Sequence, residues 1–230
     1  MNQEMWTAVD QYINALLVPS DAVLDAALQS SAAAELPRIQ VSPPQGKLLH
    51  VLAHLVGARN ILEIGTLGGY STIWLARALP AGGRLLTLEA SEKHAQVASA
   101  NFARAGLNHV IELRRGKALD LLPQVASEGR GPFDLIFIDA NKSDMADYFD
   151  WAVRLSRRGS VIISDNVIRH GGVLDAASDD ADIQGVRRFN ERVAADKRVT
   201  ATEIQTVGSK GYDGFALIVV LTDTNGTASS

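Results

Sequence analysis

Residues 60–79, NILEIGTLGGYSTIWLARAL, limit the fold more than any other part of this chain. The first apolar piece, Ile61-Leu62-Glu63-Ile64, has the length of a buried strand and is cut by Gly65. Gly68-Gly69 follow, and then Ile73, Trp74, Leu75, Ala78 and Leu79 recur on one helical face. A strand, a glycine turn and a helix within about twenty residues open a nucleotide-binding α/β sheet. Glycine has no Cβ to hold a ligand away from the backbone N–H groups of such a turn.

The glycines do not have dinucleotide spacing. A pyrophosphate site reads G-x-G-x-x-G, whereas this chain reads Glu63-x-Gly65-x-x-Gly68-Gly69. Glycines in this pattern, taken alone, need be no more than a tight turn. An acid two residues before the first glycine suits a cationic or zwitterionic ligand better than a pyrophosphate. A second acid, Glu89, closes the next apolar run, Arg84-Leu85-Leu86-Thr87-Leu88. It falls about twenty residues beyond the glycines, where an acid accepts hydrogen bonds from ribose hydroxyls. The pair of acids points to S-adenosylmethionine, whose sulfonium and amino groups are positive.

Bulk properties narrow the chemistry. A chain of 230 residues suits one domain with a full-sized core. Its net charge of −4 supplies no basic field for neutralising nucleic-acid phosphates. The absence of cysteine removes disulfides, thiolate nucleophiles and cysteine metal sites, so catalysis must use oxygen and nitrogen groups. Glu4 and Asp10 interrupt the N-terminus and no apolar run is long enough to span a membrane, which makes the cytoplasm the expected compartment.

Helical spacing of Trp6, Val9, Ile13, Leu16 and Leu17 predicts a helix over 3–17. Pro19-Ser20-Asp21 ends it and caps a second helix over 22–35, and Ser42-Pro43-Pro44 opens a third that stops at Gly57. These helices must pack on the sheet or cover its ligand edge. Strands are then expected at 61–65, 84–89, 110–114, 133–139 and 159–165, with helices at 71–79, 91–105, 117–126 and 143–156 between them. Such alternation predicts a Rossmann-like α/β fold, a mostly parallel sheet with helices on both faces. After a polar stretch at 169–182 and one more helix, strands at 200–207 and 214–221 make a C-terminal antiparallel hairpin, the sixth and seventh strands. Residues 1–221 then form one domain, and 222–230 a polar tail.

A second constellation sits at the ends of the fourth and fifth strands, Phe137-Ile138-Asp139-Ala140-Asn141-Lys142 and Ile163-Ser164-Asp165-Asn166. In a parallel sheet these ends share an edge with Gly65 and Glu89. If the two strands are neighbours, Asp139, Asp165 and Asn166 converge on one ion. Three oxygen donors suit magnesium, manganese or calcium rather than zinc. Lys142 beside such a cation would be pushed towards its neutral form and could take a proton from a hydroxyl. Each aspartate alone is more simply a turn cap; their joint placement on the cofactor edge favours the functional reading.

ILEIGTLGGYS, LLTLEA, FIDANK and ISDN, in this order, resemble the cation-dependent class I O-methyltransferases, the family of the caffeoyl-CoA and catechol enzymes. The resemblance covers about 39–220. It implies that Asp139, Asp165 and Asn166 hold the metal and that Lys142 is the general base. It implies that Glu89 binds the ribose, that Glu63, Gly65 and Ser71 line the methionine end, and that Val41, Ala118 and Asp139 also touch the cofactor. It implies methyl transfer to a vicinal diphenol of the catechol or caffeoyl type, by a homodimer. The chain departs from the family at Asn141, where many members carry aspartate. Two other readings stand beside this one: an NAD-dependent oxidoreductase, against which the missing middle glycine speaks, and a cofactor binder without catalysis. His50 and His54 are four apart on the third helix and lack a third ligand, so a helix surface is the simpler account. His170 reads equally as pocket border or as solvated loop. Tyr212 and Asp213 could also border the pocket, but a hairpin turn is the simpler account, and Trp74, Phe102 and Trp151 read as core.

Overall fold

The computed structural model describes residues 2–19 and 21–223. Seven strands run β1 (Asn60–Ile64), β2 (Arg84–Glu89), β3 (Ile111–Arg115), β4 (Phe133–Ile138), β5 (Ser156–Asp165), β6 (Val199–Gly208) and β7 (Gly211–Val220). They form one sheet in the order β3-β2-β1-β4-β5-β7-β6. The first five are parallel; β7 enters antiparallel between β5 and β6. The expected α/β architecture is the one observed.

The central strands are apolar on both sides because helices cover both faces. Leu62, Ile64, Leu86, Leu88, Ile136, Ile138 and Ile162 point to one face. There they meet α6 (Ala118–Ser127), α7 (Met145–Arg154) and α8 (Ala181–Ala195), with Phe149 and Phe189 edge to face at 5.9 Å. The alternate residues Ile61, Leu85, Leu135, Phe137 and Ile163 point to the other face. That side is covered by α2 (Ala22–Ala33), α3 (Pro43–Leu55), α4 (Tyr70–Ala76) and α5 (Glu92–Arg104). The N-terminal helix α1 (Gln3–Leu17) lies against β6.

Local chemistry accounts for the helix ends. Asp21 caps α2 through the N–H groups of Val23 and Leu24. Ser42 and Gln45 form a reciprocal capping box on α3, and Gly57, at φ 59°, lets the chain leave it. Among the described residues no helix is long and apolar enough to cross a membrane.

The departures from the sequence expectations are local. The helix expected at 143–156 is a 3₁₀ turn, Lys142–Asp144, followed by α7, and β5 begins at Ser156 rather than 159. The polar stretch at 169–182 contains a 3₁₀ segment, Arg169–Leu174. The hairpin expected to turn over residues 208–213 pairs as far as Gly208 with Gly211, leaving Ser209 and Lys210 as the whole turn. Gly211, at φ 96°, makes so short a turn possible. Ser20 and most of the expected tail, residues 224–230, lie outside the described residues.

Candidate active site

The carboxyl ends of β1, β2, β4 and β5 share one edge, and two of them touch through backbone. Asp139 donates its N–H to the Ile64 carbonyl at 2.9 Å. A Cβ on Gly65, which has φ 99°, would lie 2.1 Å from the Asp139 carbonyl oxygen. Only glycine allows β1 to end this close to β4. Gly69, at φ 83°, turns the loop into α4.

A cleft of about 770 Å³ opens over this edge, within the size range of small-molecule sites. Val41, Gly65, Ser71, Glu89, Ala118 and Asp139, six of the expected cofactor residues, line it. Glu63 does not. It is fully buried beneath the glycine loop, on the same sheet face as its register partner Thr87. Three hydroxyls donate to its carboxylate: Ser71 at 2.6 Å, Thr72 at 2.5 Å and Thr87 at 2.7 Å. Burial pushes the Glu63 carboxyl up to about 7; the hydroxyl donors oppose the rise and the Asp139 charge adds to it. Glu63 therefore reaches the cleft through Ser71.

Glu89 sits at the mouth of the glycine loop. Its Oε2 accepts the N–H groups of Thr66 and Leu67 at 3.2 and 2.8 Å, and its Oε1 accepts that of Ser91 at 2.9 Å. The His94 ring lies 3.3 Å from Oε1. The acid that closes β2 thus also holds the loop after β1.

The expected metal and base residues meet at the other end of the cleft, because β4 and β5 are neighbours. Lys142, 6% exposed, donates through Nζ to Asp139 Oδ1 at 2.9 Å and to the Asp165 carbonyl at 3.1 Å. Asp165 is 5% exposed and stands behind the cleft wall, while Asn166, at φ 59°, lines it. Burial, and after it the Asp139 charge, push the Asp165 carboxyl up to about 7, against the pull of Lys142 and the Asn166 N–H. Among the described residues no group of three or more His, Cys, Asp or Glu side chains is arranged to hold a metal. The expected donor set is two carboxylates and an amide.

Several neighbours were not singled out from the sequence. Gln45 donates to Asp165 Oδ1 at 3.3 Å; Ser42-x-x-Gln45 was readable as a capping box, but not as a contact 120 residues away. Arg169 and Tyr148 also line the cleft. Asn141 donates to Asp144 at 2.6 Å and accepts from Tyr148, so its amide is fastened to the turn that carries Lys142. His170 is exposed and does not line the cleft. Asp213 Oδ1 accepts the N–H groups of Ile168 and Arg169, both at 3.0 Å, so it shapes the loop after β5. His50 and His54 stack edge to face, His50 facing the Trp74 carbonyl at 3.1 Å. Trp74 and Phe102 are core on one face of the sheet, and Trp151 packs partly buried against the core of the other face.

The β6–β7 turn is fastened at three points. Asp10 Oδ2 on α1 accepts the Ser209 N–H at 2.7 Å, and Gln3 donates to the Gly208 carbonyl at 2.9 Å. Lys210 donates to the Arg38 carbonyl at 2.8 Å, just before the cleft-lining Ile39-Gln40-Val41. Burial lowers the Lys210 pKa, and the charges of Asp139 and Asp165 oppose the fall.

A family model described as O-methyltransferase matches residues 17–219. The chain belongs to the O-methyltransferase family. It is 56% identical over 220 residues to the catechol O-methyltransferase of Niastella koreensis, covering 96% of this chain and all of that one. It is 54% identical over 212 residues to the catechol O-methyltransferase of Mycobacterium tuberculosis, covering 92% and 94% of the two chains. The crystal structure of the Bacillus cereus O-methyltransferase in complex with SAH superposes with a TM-score of 0.94 at 59% identity, over 95% of this chain and 100% of that one. Membership of this O-methyltransferase family removes the oxidoreductase alternative.

Proposed function

We propose that this O-methyltransferase moves the methyl group of S-adenosylmethionine to one hydroxyl of a vicinal diphenol, a catechol or caffeoyl-type acceptor, with a divalent cation as cofactor. The observation that carries the reading is Lys142, buried at the cleft end between Asp139 and the Asp165 carbonyl. The catechol O-methyltransferases at 56% and 54% identity support the acceptor class, and the SAH complex of the Bacillus cereus relative supports the donor.

The donor binds along the glycine loop. Glu89 takes the ribose hydroxyls, Gly65 and Ser71 face the methionine end, Asp139 receives the amino group, and Val41 and Ala118 pack beside the donor. Glu63 acts one step back, orienting Ser71. The residues at the other end fit a hard cation: Asp139, Asp165 and Asn166 offer only oxygen, and Asp165 is almost out of water. Magnesium is the ion we assign. Once bound, it would lower the pKa of a hydroxyl on the acceptor and fix the direction of its oxygen.

In the neutral form that a cation bound beside it would favour, Lys142 Nζ would take the hydroxyl proton. The oxygen lone pair forms a bond to the methyl carbon as the carbon–sulfur pair returns to sulfur, leaving S-adenosylhomocysteine. Holding these atoms in line contributes on the order of several kcal/mol.

We also propose residues 1–221 as one catalytic domain working in the cytoplasm as a homodimer. The single sheet and the family match over 17–219 support the first part. The exposed stripe Met5, Val9, Tyr12 and Leu16 on α1 supports self-association. Light scattering would read that mass directly.

Incubation with labelled S-adenosylmethionine and catechol, with EDTA and then excess magnesium, tests the whole. Labelled monomethyl ether, lost with EDTA and restored by magnesium, is the expected result. Transfer that survives chelation would remove the cation, and donor binding without transfer to any vicinal diphenol would remove the acceptor.

A further inference from the structure

The acceptor end of the cleft carries a cation that the chemistry above does not use. Among the described residues lining that end, Lys142 and Arg169 are the cationic ones, and Lys142 is committed to Asp139. Arg169 has one ionic contact, a single guanidinium nitrogen 3.4 Å from Asp182. Elsewhere in the chain arginines pair through two nitrogens at short range, as Arg77 does with Asp21 and Arg192 with Asp150. The Arg169 Nε is buried and, among the described residues, has no hydrogen-bond partner. A buried donor left unpaired is costly, and here it belongs to a side chain that lines a binding cleft.

The backbone holds this arginine in place. Arg169 has φ 52°, a conformation uncommon for a residue with a side chain. Asp213 Oδ1 fixes it by accepting the Arg169 N–H at 3.0 Å, and that of Ile168 beside it. Strain kept by a dedicated partner beside a cleft is a pattern of ligand-contacting loops. A guanidinium offers a planar fork of donors that matches a carboxylate.

We propose that Arg169 binds a carboxylate on the acceptor, so that the preferred acceptors are vicinal diphenols carrying an acid group on the ring or on a short side chain. This deepens the diphenol reading and rests on it. The vicinal oxygens face Lys142, and the acid group faces Arg169 and supplies the partner its Nε lacks.

The experiment compares kcat and KM for 3,4-dihydroxybenzoate, its uncharged primary amide and catechol, in the unaltered enzyme and in Arg169→Met and Arg169→Lys. The unaltered enzyme is expected to prefer the acid over the amide by on the order of 10- to 100-fold in kcat/KM, carried mainly by KM. Arg169→Met should erase that preference while leaving catechol and amide within a few-fold, and Arg169→Lys should restore part of it. Because the amide and catechol report on the same folded variant, a general loss of structure cannot imitate the result. Equal use of acid and amide by the unaltered enzyme overturns the assignment of Arg169 and leaves the diphenol reading standing. Failure to methylate any of the three overturns both.

Discussion

Gln45 serves two masters: its Nε2 donates to Asp165 at 3.3 Å while its Oε1 accepts the Ser42 N–H at 3.0 Å. One side chain therefore starts α3 and steadies a carboxylate on β5. Gln45→Leu is expected to lower Tm by about 2–4 °C, the effect of losing roughly 1 kcal/mol of capping. If Asp165 holds magnesium as proposed, the variant should also raise the magnesium concentration for half-maximal rate roughly tenfold, as loss of a partner behind a metal ligand does. Thermal melts and a magnesium titration on the same preparation read the two effects separately.

Lys142→Ala should cut turnover by about 10²–10⁴-fold, the range for a lost general base. S-adenosylmethionine binding, read by calorimetry, should change no more than a few-fold, because the Asp139 carboxylate, released from Lys142, still faces the donor's amino group. Turnover that stays high at neutral pH would take the proton away from Lys142.

Glu63 makes a pH prediction of definite sign. Between about pH 4.5 and 7 the folded chain keeps a proton on Glu63 that the unfolded chain has released. The contribution of this group to stability therefore falls as pH rises through that window and is level above it. Asp21, beside Arg77, and Asp196, beside Arg198, lie below their ordinary value of 3.8 and act the other way: their contribution is present above that pH and lost below it. Subtracting the urea stability of Glu63→Gln from that of the unaltered chain should leave a difference that declines by on the order of 3 kcal/mol across the window. Parallel profiles for the two proteins would contradict the shifted ionisation.

Gly65→Ala places a Cβ 2.1 Å from the Asp139 carbonyl at a φ of 99°. The obstacle is backbone, so β1 and β4 must part. A loss of about 2–4 kcal/mol is expected, with weakened donor binding even at temperatures where the variant is folded. Chemical denaturation and calorimetry measure both; an undisturbed affinity would mean that this close approach does not shape the donor site.

The sheet and the ends of its strands were readable because short-range patterns determine them. Apolar runs stopping at Glu89, Asp139 and Asp165 mark where strands leave the core for a solvent edge, and parallel order then puts those ends together. The hydroxyl cage of Glu63 was not readable. Ser71 and Thr72 arrive from the next helix and Thr87 from the next strand, and nothing local distinguishes a threonine aimed at a carboxylate from one filling a core. For the same reason Glu63 was expected in the cleft wall and lies under it. The length of the β6–β7 turn also escaped, since Gly208 and Gly211 read equally well as loop or as paired strand ends.

The bridges from Asp10 to Ser209 and from Lys210 to Arg38 join α1 and the segment before the cleft-lining Ile39-Gln40-Val41 to the β6–β7 turn. A chimera that imports only an N-terminal segment from a related enzyme would inherit one half of this buckle and misalign the rim. Re-engineering acceptor choice in this scaffold would call for exchanging α1, the 38–42 segment and the 208–211 turn as one cassette.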